Sequence, residues 1–127
     1  LNQYRAFIFQ CESLRYKASS HKWSLFDNNT KPNINIMTKN QIGNINYPWD
    51  KGVKFGYGFS VVTDQKLSAL NDSNGSFGWN GAAGTHFTID PEKNLILILM
   101  VQRMYPWSGV WKKFNDLTYD SIIDNSE

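Results

Sequence analysis

The run Leu95-Ile-Leu-Ile-Leu-Met-Val101 constrains this chain more than any other segment. It is the longest apolar stretch present, far short of the roughly 20 residues a helix needs to cross a bilayer and of the length of a β-strand. Successive side chains of a strand point to opposite faces. A strand that is apolar at every position therefore belongs inside a sheet with cover on both sides, and the reading extends it to Gln102.

The remaining elements follow from period and punctuation. Leu1, Tyr4, Ile8 and Cys11 share one helical face with Phe7 beside them, which predicts an amphipathic helix over residues 1–12. Residues 13–29 are polar and irregular, anchored only by Trp23, Leu25 and Phe26. Thr30 can cap a helix over 31–40, where Pro32 is tolerated in the first turn and Gly43 acts as a stop. Strands are predicted at 54–63, 76–80 and 85–89, with turns at Asn71-Asp-Ser-Asn-Gly75 and Asp90-Pro-Glu-Lys-Asn94. Ser108 caps a closing helix over 109–123, whose expected buried stripe is Val110, Trp111, Phe114, Leu117 and Ser121. The order defines an α+β fold, an antiparallel sheet flanked by helices, in a single domain over residues 1–127. So few helices for a strand wanting two covers suggests that part of the domain lies elsewhere.

Charge excludes several functions. Thirteen basic and eleven acidic residues are spread along the chain, and Lys112-Lys113 is only a pair, so no block tracks nucleic-acid phosphates. A single cysteine, Cys11, rules out an intrachain disulfide and any multi-cysteine metal site. His21 and His86 stand without ligand spacing around them, so no metal and no cofactor are expected; His86 reads as an ordinary surface-strand residue. Aromatic residues reach 15%, which fits an aromatic core beside a substrate cleft better than a stacking platform for bases or sugars. The chain opens on Leu-Asn-Gln-Tyr with no signal peptide, which suggests a trimmed or processed product.

The chemistry concentrates in Gly75-Ser-Phe-Gly-Trp-Asn-Gly-Ala-Ala-Gly-Thr85. Glycine and alanine leave the backbone bare, so a ligand can approach and N–H groups can donate to a developing negative charge. The same composition also fits a β-bulge or a tight strand crossing. Composition leaves both readings open.

Phe77-Gly-Trp-Asn-Gly-Ala-Ala-Gly-Thr-His-Phe-Thr-Ile-Asp-Pro-Glu-Lys-Asn-Leu-Ile-Leu-Ile-Leu-Met-Val-Gln102 resembles the end of the β-lactamase-related serine hydrolases, which include class C β-lactamases, penicillin-binding peptidases and β-lactamase-like esterases. Met37-Thr-Lys-Asn-Gln-Ile-Gly43 and Gly56-Tyr-Gly-Phe-Ser60 resemble two further blocks of that family, in the right order. The resemblance implies the C-terminal part of a β-lactamase/transpeptidase-like fold. Of the family's three motifs, only the third matches in context, as Trp79-Asn80-Gly81. It implies that the Ala82 backbone N–H is an oxyanion donor beside Gly81, and that Trp79 and Asn80 bind substrate. Trp79 stands where β-lactamases carry a cationic lysine, which implies ester or peptide-like substrates; Asn80 departs from the usual Thr, Ser or Gly.

Ser19-Ser-His-Lys22 has the form of the nucleophile motif but sits in a polar loop, and Tyr-x-Asn is missing. The expectation is thus a part of a serine hydrolase that lacks its nucleophile and is inactive alone. A non-catalytic module binding peptide or peptidoglycan fragments, or a structural domain, is the alternative. The resemblance points to the cell envelope, to a small-molecule or peptide substrate in the parent enzyme, and to no nucleic acid. Bare sheet surface would favour a homodimer.

Overall fold

A computed structural model of the chain describes residues 4–10, 31–102 and 109–123. Six strands form one antiparallel sheet: β1 (Tyr4–Gln10), β2 (Val53–Phe55), β3 (Ser60–Val62), β4 (Phe77–Asn80), β5 (His86–Asp90) and β6 (Leu95–Val101). Their spatial order is β1-β6-β5-β4-β3-β2. Two helices accompany them, α1 (Lys31–Met37) and α2 (Val110–Ile123). The architecture is the expected α+β one.

The apolar run is β6, an interior strand between β1 and β5. Leu95, Leu97, Leu99 and Val101 are all buried, Leu97 completely. Leu95 and Leu97 pack with Tyr119 of α2, and Phe114 and Ile122 flank that cluster. The opposite face is another matter. Ile96 and Ile98 are only half-buried and Met100 is 48% exposed, so among the described residues the two-sided cover predicted for this strand exists on one side.

Residues 1–12 correct the prediction of a helix. Tyr4–Gln10 is a strand, paired antiparallel with β6 from Tyr4↔Val101 to Gln10↔Leu95. The segment Tyr-Arg-Ala-Phe-Ile-Phe-Gln is rich in aromatic and β-branched residues, and its helical spacing is short. Seven backbone pairings with β6 outweigh that weak helical period. Cys11, Ser19, His21, Lys22 and the cap positions Thr30 and Ser108 lie outside the described residues.

The single strand predicted over 54–63 is a hairpin of β2 and β3. Its turn uses Gly58 at φ +85°, and Gly56 N–H donates to Phe59 O at 2.8 Å. Helix α1 ends at Met37, and Tyr57 N–H then donates to Met37 O while Gln41 N–H donates to Phe55 O, each at 2.8 Å. The Met37–Gly43 block and the Gly56–Ser60 block are thereby tied together.

Helix α2 is placed as expected, but its buried stripe is rotated. Leu117 is 60% exposed, whereas Asn115, Thr118 and Tyr119 are buried. Polar residues turn inward here because each finds a partner: Tyr119 Oη donates to Asp90 Oδ2 at 2.6 Å, Asn115 Nδ2 to Asp72 Oδ1 at 2.5 Å, and Thr118 Oγ1 to Phe114 O at 2.8 Å.

Candidate active site

Strand β4 is paired on both sides only over its first half. β3 reaches Phe77 and Gly78, and beyond them Trp79 and Asn80 have, among the described residues, β5 alone as neighbour. Gly78 is required at the crossing: a Cβ there would lie 2.0 Å from Phe87 O, on the neighbouring strand. The bare half of β4 opens onto a cleft of about 610 Å³, walled by Tyr47, Trp49, Trp79, Asn80, Ala82 and Trp111 among others. Among the described residues no lysine or arginine lines it, while Asp50 and Asp72 do.

After Asn80 the chain turns back to β5. Gly81 N–H donates to Thr85 O at 2.8 Å, and Gly84 N–H donates to Gly81 O at 2.9 Å. Gly81's own donor is therefore committed within the hairpin. The backbone N–H of Ala82 has no acceptor among the described residues, and Ala82 is exposed at the cleft. Trp79 is 38% exposed and meets Phe55 edge-on with ring centroids 5.0 Å apart. Phe55 stacks on Tyr47 at 6.2 Å, and Tyr47 meets the 69% exposed Trp49 at 5.1 Å. These contacts make a continuous aromatic strip along the cleft.

The expectation that His86 is a surface-strand residue is corrected. His86 is 8% exposed, its ring stacked on Trp111 with centroids 5.6 Å apart. Nδ1 is hydrogen-bonded to Asn80 Oδ1 and Nε2 lies 3.0 Å from Thr88 Oγ1. Burial holds its pKa down at about 4, so the ring is neutral at neutral pH. The hairpin register Asn80↔His86 was the signal that could have found this contact, because directly paired residues put their side chains on one face.

Behind His86 lies a buried polar layer. Asp72, 3% exposed, accepts from Asn115 and is 3.5 Å from Thr88 Oγ1. Burial raises its pKa, the neighbouring Asp90 adds to the rise, and hydrogen bonds from Asn115, Tyr119 and Thr88 oppose it. Burial also raises Asp90, but bonds from Tyr119, the Lys93 amide and Ser73 outweigh it, and Asp90 ends below the ordinary carboxylate range. The predicted turn at 90–94 is capped by Asp90, whose Oδ1 accepts the N–H of Glu92 and Lys93, each at 3.0 Å. No group of acids, histidines or cysteines among the described residues is arranged to hold a metal, and no described helix is long and apolar enough to cross a membrane.

The sequence profile of the Beta-lactamase family matches residues 27–115, which takes in α1, the β2–β3 hairpin, β4 to β6 and the start of α2. The chain belongs to the Beta-lactamase family. One solved structure with which it aligns is "EstCE1, a hydrolase with promiscuous acyltransferase activity", at 28% identity and a TM-score of 0.41 over 42% of this chain. The aligned part spans 14% of that structure's chain. Among curated proteins nothing matches.

Proposed function

We propose that this chain forms one wall of the active site of a β-lactamase-like serine hydrolase of the esterase or peptidase type, without its nucleophile. One observation carries the reading: the Ala82 N–H, unpaired among the described residues, sits at the cleft where β4 loses its neighbour. A preorganised backbone donor in such a place stabilises the oxyanion of a tetrahedral intermediate, and one donor is worth about 10²–10³ in rate. Acylation and deacylation then need a serine with its lysine base, which the family places far upstream of the third motif. Gly81 holds the hairpin that presents Ala82, while Trp79 and Asn80 face the substrate. The cell envelope is the compartment this reading implies. The test is Ala82→Pro in the hydrolase that joins this segment to its Ser-x-x-Lys segment. Removing the N–H should cost kcat about 10²-fold or more, and an unchanged kcat would refute the oxyanion role.

A second reading is favoured by the aromatic strip ending at exposed Trp49. A module that binds peptide or peptidoglycan fragments without catalysis would use such a surface. Ser-x-x-Lys and Tyr-x-Asn in the encoded sequence ahead of Leu1 favour the enzyme; their absence favours the module. In either case the sheet face carrying Ile96, Ile98 and Met100 is proposed to meet a second copy of the chain when the chain is alone.

A further inference from the structure

Gly81 carries no side chain, and a neighbouring hydroxyl takes the space one would fill. Its φ lies outside the left-handed region, so the backbone conformation there leaves a side chain open. A Cβ on Gly81 would lie 2.1 Å from Thr85 Oγ1, and the three nearest atoms all belong to Thr85. Gly78 differs, because a Cβ there would meet the Phe87 backbone. At Gly81 the demand for glycine comes from one side chain.

The two residues face each other across the hairpin, with the Gly81 N–H donating to Thr85 O at 2.8 Å. Residues paired in this way put their side chains on one face, so the Thr85 hydroxyl sits over Gly81, next to the peptide that carries the Ala82 N–H. That hydroxyl has no hydrogen-bond partner among the described residues. The other described threonines, Thr38, Thr63, Thr88 and Thr118, each donate to a protein acceptor. Thr85 is also only partly buried and lines the cleft. A hydroxyl rotates, so its proton can turn toward an acceptor brought by a ligand.

We infer that Thr85 is a further substrate-contacting residue, whose hydroxyl donates to a carbonyl oxygen of the substrate beside the Ala82 N–H. The inference rests on reading the cleft as the substrate site. A residue entering β5 could be threonine for its β-branched shape alone. Valine keeps that shape without the hydroxyl, and serine keeps the hydroxyl without the shape, so the two substitutions separate the roles.

The test is a titration of the whole chain, labelled with ¹⁵N and with ¹³C at threonine methyls, with N,N-dimethylacetamide, a neutral carbonyl compound that only accepts. The Thr85 methyl and the Ala82 amide should shift together and saturably. Affinity is then read from the Trp79 and Ala82 amides in two variants. Thr85→Ser should hold it within about two-fold, whereas Thr85→Val should lower it about three-fold or more, as the loss of one neutral hydrogen bond requires. Unchanged affinity in Thr85→Val, or equal losses in both variants, overturns the contact, and so does a Thr85 methyl that never shifts. A Thr85 methyl that responds while Ala82 does not supports the contact and counts against the oxyanion donor. The reverse pattern keeps the donor and removes Thr85, so the two readings fail separately.

Discussion

Tyr119 on α2 and Asp90 at the end of β5, 29 positions apart, are joined by a 2.6 Å hydrogen bond in which the phenol donates to the carboxylate. The bond fastens the helix to the sheet at the point where Asp90 also caps the turn into β6. Both groups are buried, so neither can be repaired by water if the other is removed.

Tyr119→Phe leaves Asp90 Oδ2 with only the Ser73 N–H, at 3.1 Å, among the described residues. Hydrogen bonds to charged groups contribute about 1.5–3 kcal/mol, and a loss of about 2 kcal/mol is expected. Urea unfolding followed by circular dichroism measures it, and a change below about 0.5 kcal/mol would mean the bond contributes little.

Acid should weaken the fold through His86. Its folded pKa of about 4 lies below the ordinary value of 6.5, so the unfolded chain binds more protons between those two pH values. This contribution is fully present above pH 6.5 and is lost as pH falls toward 4, on the order of 3 kcal/mol in all. Stability measured across that range should fall less steeply in His86→Gln than in the parent chain.

Gly78→Ala should separate β4 from β5. The added Cβ would stand 2.0 Å from Phe87 O and 3.0 Å from Phe87 C, which is backbone and cannot swing aside. The expected cost is at least about 2 kcal/mol, with loss of hydrogen-exchange protection at Thr88 and Phe87. Retained protection would show that the two strands accommodate the added Cβ without separating.

The half-covered face of the sheet should drive self-association of the isolated chain. Met100 is 48% exposed, beside half-buried Ile96, Ile98 and Phe87. Sedimentation velocity should show a concentration-dependent dimer that Met100→Lys weakens at least several-fold. A monomer throughout the concentration range would leave that face without the proposed partner.

Most of the fold was legible because its elements carry strong local signals. β6 is continuous apolar sequence, Asp90–Asn94 has turn chemistry with Asn94 at φ +52°, and α2 has a helical period. The miss at Tyr4–Gln10 has a physical cause: in seven residues a strand and a helix both leave apolar side chains in plausible places, and pairing with β6 decides. The α2 stripe was misjudged because hydrophobicity ranks Leu117 above Asn115, whereas burial followed the hydrogen-bond partners Asp72 and Asp90. At the candidate site, Trp79, Asn80, Gly81 and Ala82 were singled out from the glycine- and alanine-rich segment and the family resemblance, and all four line the cleft. His86 was missed because a histidine alone in sequence shows no ligand pattern, and its contact appears only when the hairpin register sets it opposite Asn80.

The central claim, a hydrolase wall without a nucleophile, is tested most directly by a fluorophosphonate probe and peptide mass spectrometry on the chain. The account predicts no stoichiometric labelling of any serine, Ser19 included. Rapid, stoichiometric labelling at Ser19 that Lys22→Ala abolishes would contradict it, because the chain would then carry its own nucleophile and base.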